Sequence, residues 1–252
     1  MTSLYLELCA NGHQIATAGG FVVQHCERNF LVTNWHVLTG RHAETGEPLD
    51  RKTAALPDEV RIALPLNKPG PATWEVFREP LNRKDGTPRW VEHPRGCEVD
   101  VACLELTIAE RVQLFALDIE LAKGEITVVP GMSVQIIGFP LGIRPAEVFF
   151  AIWKTGHVAS DPDIEYGDKP AFLIDATTRE GMSGSPVVAR GEGDYWAQQR
   201  IFHPGSVVTK FLGIYSGRIH EQAEIGIVWT PDAIIEVLDR ATTGTPDAGR
   251  SG

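Results

Sequence analysis

Gly181-Met182-Ser183-Gly184-Ser185-Pro186, with Asp175-Ala176-Thr177 before it and Val187-Val188-Ala189 after it, is the stretch that decides how this chain is read. A serine held in a tight turn between small residues, feeding an apolar run, presents its hydroxyl with little steric cover. Glycine at 181 lets the backbone N–H groups of residues 181 and 183 converge on one point, and paired donors of that kind stabilise a developing oxyanion. Glycine–serine turns are also common at surfaces with no chemistry attached. The weight therefore rests on what the rest of the chain supplies.

Working outward, the pattern is strand-rich almost throughout. Residues 3–9 alternate, and 20–33 read as a hairpin around the polar turn Glu27-Arg28-Asn29. Further strands are predicted at 60–64, 74–77 and 101–106, and then at 126–130, 133–138, 147–153, 171–175, 185–190, 207–215 and 225–229. Residues 110–125 have no clean period and read as a link between two halves. Polar stretches at 40–58 and 191–205 read as surface loops. One helix is predicted at 231–239, with Thr230 as N-cap and Pro231 at the first helical position. Residues 241–252 read as a disordered tail.

A chain of 252 residues, 43% hydrophobic and 22% charged, needs no staple to form a sizeable core. The net charge of −10, without a long basic run, argues against nucleic acid or an anionic membrane as partner. No stretch has the length of a membrane span. The N-terminus lacks a basic region followed by an apolar core, so the expected compartment is the cytoplasm, with Cys9, Cys26, Cys97 and Cys103 reduced.

A serine nucleophile needs a base, and the base needs an orienting group. Among eight histidines, His36 stands out at the far end of the apolar run Phe30-Leu31-Val32-Thr33-Asn34-Trp35-His36-Val37. Asp100 directly precedes Val101-Ala102-Cys103-Leu104, where a carboxylate is costly without a partner. Separately, each is an ordinary strand-end or turn residue. The three in this order, spread over two strand-rich halves, point to one site.

On these residues the chain resembles the trypsin-like serine peptidases of the chymotrypsin fold, nearest the bacterial HtrA/Deg and V8-like branches, over roughly residues 4–240. Thr33-Asn34-Trp35-His36-Val37, Asp100-Val101-Ala102 and Gly181–Pro186 carry the resemblance, with weaker support from Ala18–Val22, Ile137–Gly142 and Gly213–Gly217. The order His, Asp, Ser is that of this family. The resemblance implies an all-β fold of two Greek-key six-stranded barrels and a short C-terminal helix. As boundaries it implies a peptidase domain over 1–240, with barrels at about 1–112 and 124–230, the helix at 231–240 and the tail at 241–252. It further implies Ser183 as nucleophile, His36 as base, Asp100 as its orienter, an oxyanion hole from the Gly181 and Ser183 N–H groups, and no cofactor or metal. Thr177, six before the serine, would help floor the primary specificity pocket. Tyr215, Ser216 and Gly217 would line the strand that pairs with a protein or peptide substrate.

Two departures matter. Met182 stands where the digestive enzymes carry an aspartate, so activation by cutting the N-terminus is not expected. Thr177 is uncharged, which argues against a Lys or Arg preference and for small or medium apolar side chains. No PDZ-like segment follows residue 240. The alternative is a catalytically idle or partner-triggered module that keeps the fold in a bacterial stress or defence system, with a protein as its trigger; an esterase would need an open acyl pocket. A zinc site at His93, Cys97 and Cys103 matches no common spacing. The acidic stretch 161–165 reads as a solvated loop rather than a calcium site.

Overall fold

The structure, a computed structural model, describes residues 3–145, 148–191, 195–197, 200–202, 207–220 and 223–243. Apolar residues at every second position give the first half its strands: β1 (Leu4–Ala10), β2 (His13–His25), β3 (Arg28–Thr33), β4 (Glu59–Pro65), β5 (Trp74–Pro80), β6 (Trp90–Glu92) and β7 (Ala102–Leu106). They form one antiparallel sheet in the order β5-β4-β1-β2-β3-β7-β6. Its inward residues, among them Leu6, Leu8, Val22, Leu31, Ile62 and Leu104, make a single buried cluster. The thirteen residues of β2 serve two partners, since Leu4–Ala10 pair with its first part and Arg28–Val32 with its last. Gly19 and Gly20 sit at that change of partner.

The second half is a closed six-stranded barrel in the order β10-β15-β14-β11-β8-β9. Its strands are β8 (Ser133–Gly138), β9 (Ile152–Val158), β10 (Ala171–Asp175), β11 (Pro186–Gly191), β14 (Val208–Arg218) and β15 (Ile225–Trp229). Between β11 and β14, a small hairpin pairs β12 (Tyr195–Ala197) with β13 (Arg200–Phe202). A third apolar cluster joins the halves. Phe21, Phe30 and Val32 from the first meet Phe211, Ile214 and Trp229 from the second, and the C-terminal helix closes over them. That helix, α2 (Pro231–Thr243), buries Ala233, Ile234, Val237, Leu238 and Ala241, one face at helical spacing.

The all-β architecture with a C-terminal helix is as expected, with differences that have local causes. The first half has seven strands rather than six, because Trp90–Glu92 adds to β7. Residues 126–130 are not a strand: the Ile126 C=O is taken by the Lys210 ammonium at 3.0 Å instead of a ladder N–H, and Pro130 has no N–H to give. The strand predicted at 147–153 begins only at Ile152, with residue 147 outside the described residues. The loop predicted at 191–205 contains the β12–β13 hairpin, and its residues 192–194, 198–199 and 203–205 lie outside the described residues. The helix runs four residues past 239, where Ala241 still buries an apolar face and the Thr243 hydroxyl bonds the Asp239 C=O at 2.8 Å. The rest of the predicted tail, 244–252, lies outside the described residues. All four cysteines are unpaired; burial pushes the Cys103 thiol up to about 12, which makes it a poor nucleophile or ligand at neutral pH.

Leu238 is fully buried where the two halves and α2 meet. Leu238→Ala should lower stability by about 2–5 kcal/mol, read as a shift of the urea midpoint with an unchanged slope.

Candidate active site

His36 is carried by a short helix, α1 (Trp35–Thr39), that begins as β3 ends. Asn34 precedes it with extended backbone and is buried; its side-chain N–H donates to the Asp100 C=O at 2.7 Å. Gly40 ends α1 in the left-handed region (φ 65°), its N–H donating to the His36 C=O at 2.9 Å. The helix is thereby fixed at both ends, and the imidazole projects toward Asp100.

Asp100 is only 5% exposed and draws three hydrogen bonds. The His36 backbone N–H donates to Oδ1 at 2.8 Å, His36 Nδ1 lies 2.6 Å from Oδ2, and the Ser216 hydroxyl donates to Oδ2. An ionised carboxylate can only accept, so Nδ1 carries the proton and Nε2 is left as the basic nitrogen. Nε2 has no hydrogen-bond partner among the described residues. Burial works against the imidazolium, but the charge of Asp100 and its hydrogen bond together outweigh burial, so the His36 pKa is held above its ordinary value.

Ser183 sits in a turn whose peptide groups are used alternately. The Met182 N–H donates to the Arg179 C=O at 3.3 Å and the Gly184 N–H to the Tyr215 C=O at 2.9 Å. The N–H groups of Gly181 and Ser183 have no acceptor among the described residues. The Glu180 C=O accepts from the Leu141 N–H at 2.6 Å. In a trans peptide the N–H points opposite the C=O, so the Gly181 N–H is turned away from Leu141. Gly181 has φ 85°, and a Cβ there would lie 2.4 Å from the Phe139 C=O oxygen. Met182 is fully buried in the core of the second barrel, which ties the turn down from below. The Ser183 hydroxyl itself donates to the Ser216 C=O at 2.9 Å, rather than to His36.

Thr177 is exposed, with no side-chain hydrogen bond among the described residues; its neighbour Thr178 is the one turned inward, 1% exposed and bonded through Oγ1 to the Tyr215 hydroxyl. The expectation that Tyr215 pairs with substrate through its backbone needs correction. Its N–H donates to the Ser185 C=O at 2.9 Å and its C=O accepts from Gly184, so both groups are spent inside the barrel. The cause is a bulge in β14 between Tyr215 and Gly217, which gives Ser216 no partner in β15 and turns its hydroxyl to Asp100. Asn34 was missed as a supporting residue, although a carboxamide inside an apolar run was its signal.

Among the described residues no group of three or more His, Cys, Asp or Glu side chains could hold a metal ion. His93 Nδ1 accepts from the Arg95 N–H at 3.1 Å, and Nε2 lies 2.9 Å from the Glu236 carboxylate without the alignment of a hydrogen bond. A cavity of about 470 Å³ lined by Lys123, Ile126, Asp163 and Lys210 borders none of His36, Asp100 or Ser183.

The trypsin-like peptidase domain family matches residues 18–195, more than half of the chain, and the chain belongs to that family. No curated protein matches it. Among solved structures, the active form of the Rv3671c protease from M. tuberculosis is 17% identical, with 98% of this chain and 83% of that one covered and a TM-score of 0.51. The protease Anisep from Arthrobacter nicotinovorans is 13% identical, with 96% and 95% covered and a TM-score of 0.53. The serine endoprotease from Yersinia pestis is 14% identical, with 94% and 61% covered and a TM-score of 0.51. At such identities the likeness is one of fold. Family and fold together define a serine protease of the chymotrypsin type.

An NMR titration of the His36 ring should give a midpoint above the ordinary imidazole value of about 6.5. Asp100→Asn, which removes the charge and leaves the burial, should bring it below that value. The folded state gains from the raised pKa below about pH 6.5 and loses that gain as pH rises through the His36 midpoint. An unchanged midpoint in the variant would mean that Asp100 does not set the basicity of His36.

Proposed function

We propose that the chain is a serine endopeptidase in which Ser183 attacks the scissile carbonyl, His36 takes and returns the proton, and Asp100 holds the imidazole. The N–H groups of Gly181 and Ser183 receive the oxyanion. The observation that carries this reading is the alternation along residues 181–184: two N–H groups are consumed by the fold, and the two needed for an oxyanion are left without acceptors. Donors fixed in advance cost no reorganisation when charge develops, and one such donor is worth about 10²–10³ in turnover.

The steps follow from the residues. A peptide carbonyl beside Ser183 turns its oxygen toward the two free N–H groups. The Ser183 Oγ–H passes its proton to His36 Nε2 as the C–O bond forms, and the negative charge moves to the carbonyl oxygen. Asp100 stays ionised and stabilises the imidazolium. His36 then gives the proton to the leaving amine as the C–N bond breaks, and water repeats the sequence to release the acid. Asn34 and the Ser216 hydroxyl act on Asp100 rather than on substrate. The protein or peptide substrate runs past Ser216, and the preferred residue before the scissile bond is small or medium and apolar.

The resting position of the Ser183 hydroxyl also favours a second reading, a module held idle until a partner docks. The hydroxyl must rotate from the Ser216 C=O to reach His36. A substrate N–H donating to that same carbonyl competes with the hydroxyl and frees it, so substrate alone suffices as the trigger in the first reading. Fluorophosphonate labelling of the isolated protein separates the two. Labelling without any partner, lost in Ser183→Ala together with casein hydrolysis, supports the peptidase; a protein inert until a second protein is added supports the triggered module. Asp100→Asn should cut turnover by about 10⁴ and leave the thermal midpoint nearly unchanged.

A further inference from the structure

Tyr215 is 2% exposed, yet it lies one residue before Ser216, whose hydroxyl and carbonyl bond the site's acid and its nucleophile. Its ring is packed against Gly226 so closely that a Cβ at 226 would lie 2.4 Å from Cε2 and 3.1 Å from the hydroxyl. Its hydroxyl meets Thr178, five residues before Ser183, on the segment that leads into the nucleophile turn. The ring therefore spans from one wall, residues 176–181, to the other, residues 215–218 and 224–228. Two more links sew these walls together. The Ala176 N–H donates to the Glu224 C=O at 2.9 Å, and the Arg179 guanidinium lies 3.5 Å from the Glu224 carboxylate.

The position of a substrate follows from groups already placed. Its attacked carbonyl must lie at Ser183 Oγ with the oxygen toward the Gly181 and Ser183 N–H groups. β11 stops pairing with β14 at Ile214, so beyond Tyr215 one edge of β14 has no partner strand among the described residues, and an extended substrate can lie along it at Ser216. A substrate held at both points sends the side chain next to the scissile carbonyl between the two walls. That space is where the Tyr215 ring and its bond to Thr178 stand. Burial on this scale leaves no room for a bulky guest unless the ring moves, and moving it breaks the Thr178 bond inside an apolar core.

We propose that Tyr215, locked by Thr178 and seated on Gly226, is the residue that sets specificity: it fills the side-chain pocket beside Ser183 and restricts cleavage to peptide bonds following glycine, alanine or another small residue. This rests on the peptidase reading above. Gly226 is part of the same device, because any side chain there would displace the ring. Thr177, one residue away and exposed, does not take part.

The test uses the whole chain and peptides that differ only at the residue before the scissile bond: Gly, Ala, Val, Leu or Phe. The wild type should cleave after Ala at least about tenfold more efficiently, in kcat/KM, than after Phe, the discrimination a closed apolar pocket achieves. Tyr215→Ala should reverse that order toward Leu and Phe. Tyr215→Phe, which keeps the ring, should keep the wild-type order whatever happens to turnover. A wild type that prefers Leu or Phe overturns the proposal without any variant, so misfolding of Tyr215→Ala does not protect it. A folded Tyr215→Ala protein with an unchanged order also overturns it. Loss of the peptidase reading looks different: the wild type would cleave none of the five peptides and Ser183 would take no fluorophosphonate, whereas a wrong pocket assignment leaves labelling intact.

Discussion

The hydrogen bond from the Gly19 N–H to the Ser183 C=O, 2.7 Å long, is the seam on which the molecule depends. It joins β2 of the first sheet to the turn that carries Ser183 in the second barrel. The contact is tight on both sides. A Cβ at Gly184 would lie 2.0 Å from the Gly19 C=O oxygen and 2.5 Å from the Thr33 hydroxyl, and Gly184 has φ 83°, a backbone few residues but glycine accept. The Thr33 hydroxyl also donates to the Gly19 C=O at 2.9 Å, and Thr33 is the last residue of β3, three before His36. The chain that presents Ser183 and the chain that presents His36 therefore meet at one residue, Gly19, the first through its N–H and the second through its C=O. Ordinary packing tolerates shifts of a few tenths of an ångström, but acid–base chemistry between two halves does not. A direct backbone bond at the junction meets that demand more strictly than the apolar cluster around it.

Asp100 supplies the electrostatic side of the same arrangement. A carboxylate this buried would be expelled or neutralised if it stood alone. Three donors, from the His36 backbone, the His36 ring and the Ser216 hydroxyl, replace its water. Two come from the first half and one from the second, so the carboxylate is fully solvated by protein only when the halves are docked. Association of the halves and preparation of the base are thus one event. The pKa of His36 records it: the ring is basic because a charge that burial would otherwise forbid is held beside it.

The parts legible in the sequence are those whose chemistry is local. The runs 30–37 and 100–106 and the turn at 181–186 each carry their meaning within a few residues, because an apolar strand, a costly acid at its start and a glycine-flanked serine are short-range signals. The bond between Thr178 and Tyr215 was not legible in that way: Thr178 faces inward while its neighbour Thr177 is exposed, and its partner lies 37 residues further on. The strand reading of 207–215 found β14, yet nothing local announces the bulge that turns Ser216 toward Asp100 and Tyr215 into the barrel. Likewise Ile126 looked like a strand residue because it is apolar, and it is buried as such. Its carbonyl is satisfied by Lys210, a choice fixed by tertiary structure alone.

Met182 shows how these constraints reach the chemistry. Here the side chain is apolar, and it lies at 0% exposure among Ile136, Val187 and Leu212. The free energy that holds the turn is therefore hydrophobic burial, present as soon as the barrel folds. Leu141, which fixes the Glu180 carbonyl and thereby the direction of the Gly181 N–H, belongs to the loop that follows β8, the strand that packs beside β11. Both supports come from the barrel that carries Ser183. The direction of the Gly181 N–H is set by the second half alone, whereas the set of donors around Asp100 is complete only when both halves meet, because Ser216 comes from the second.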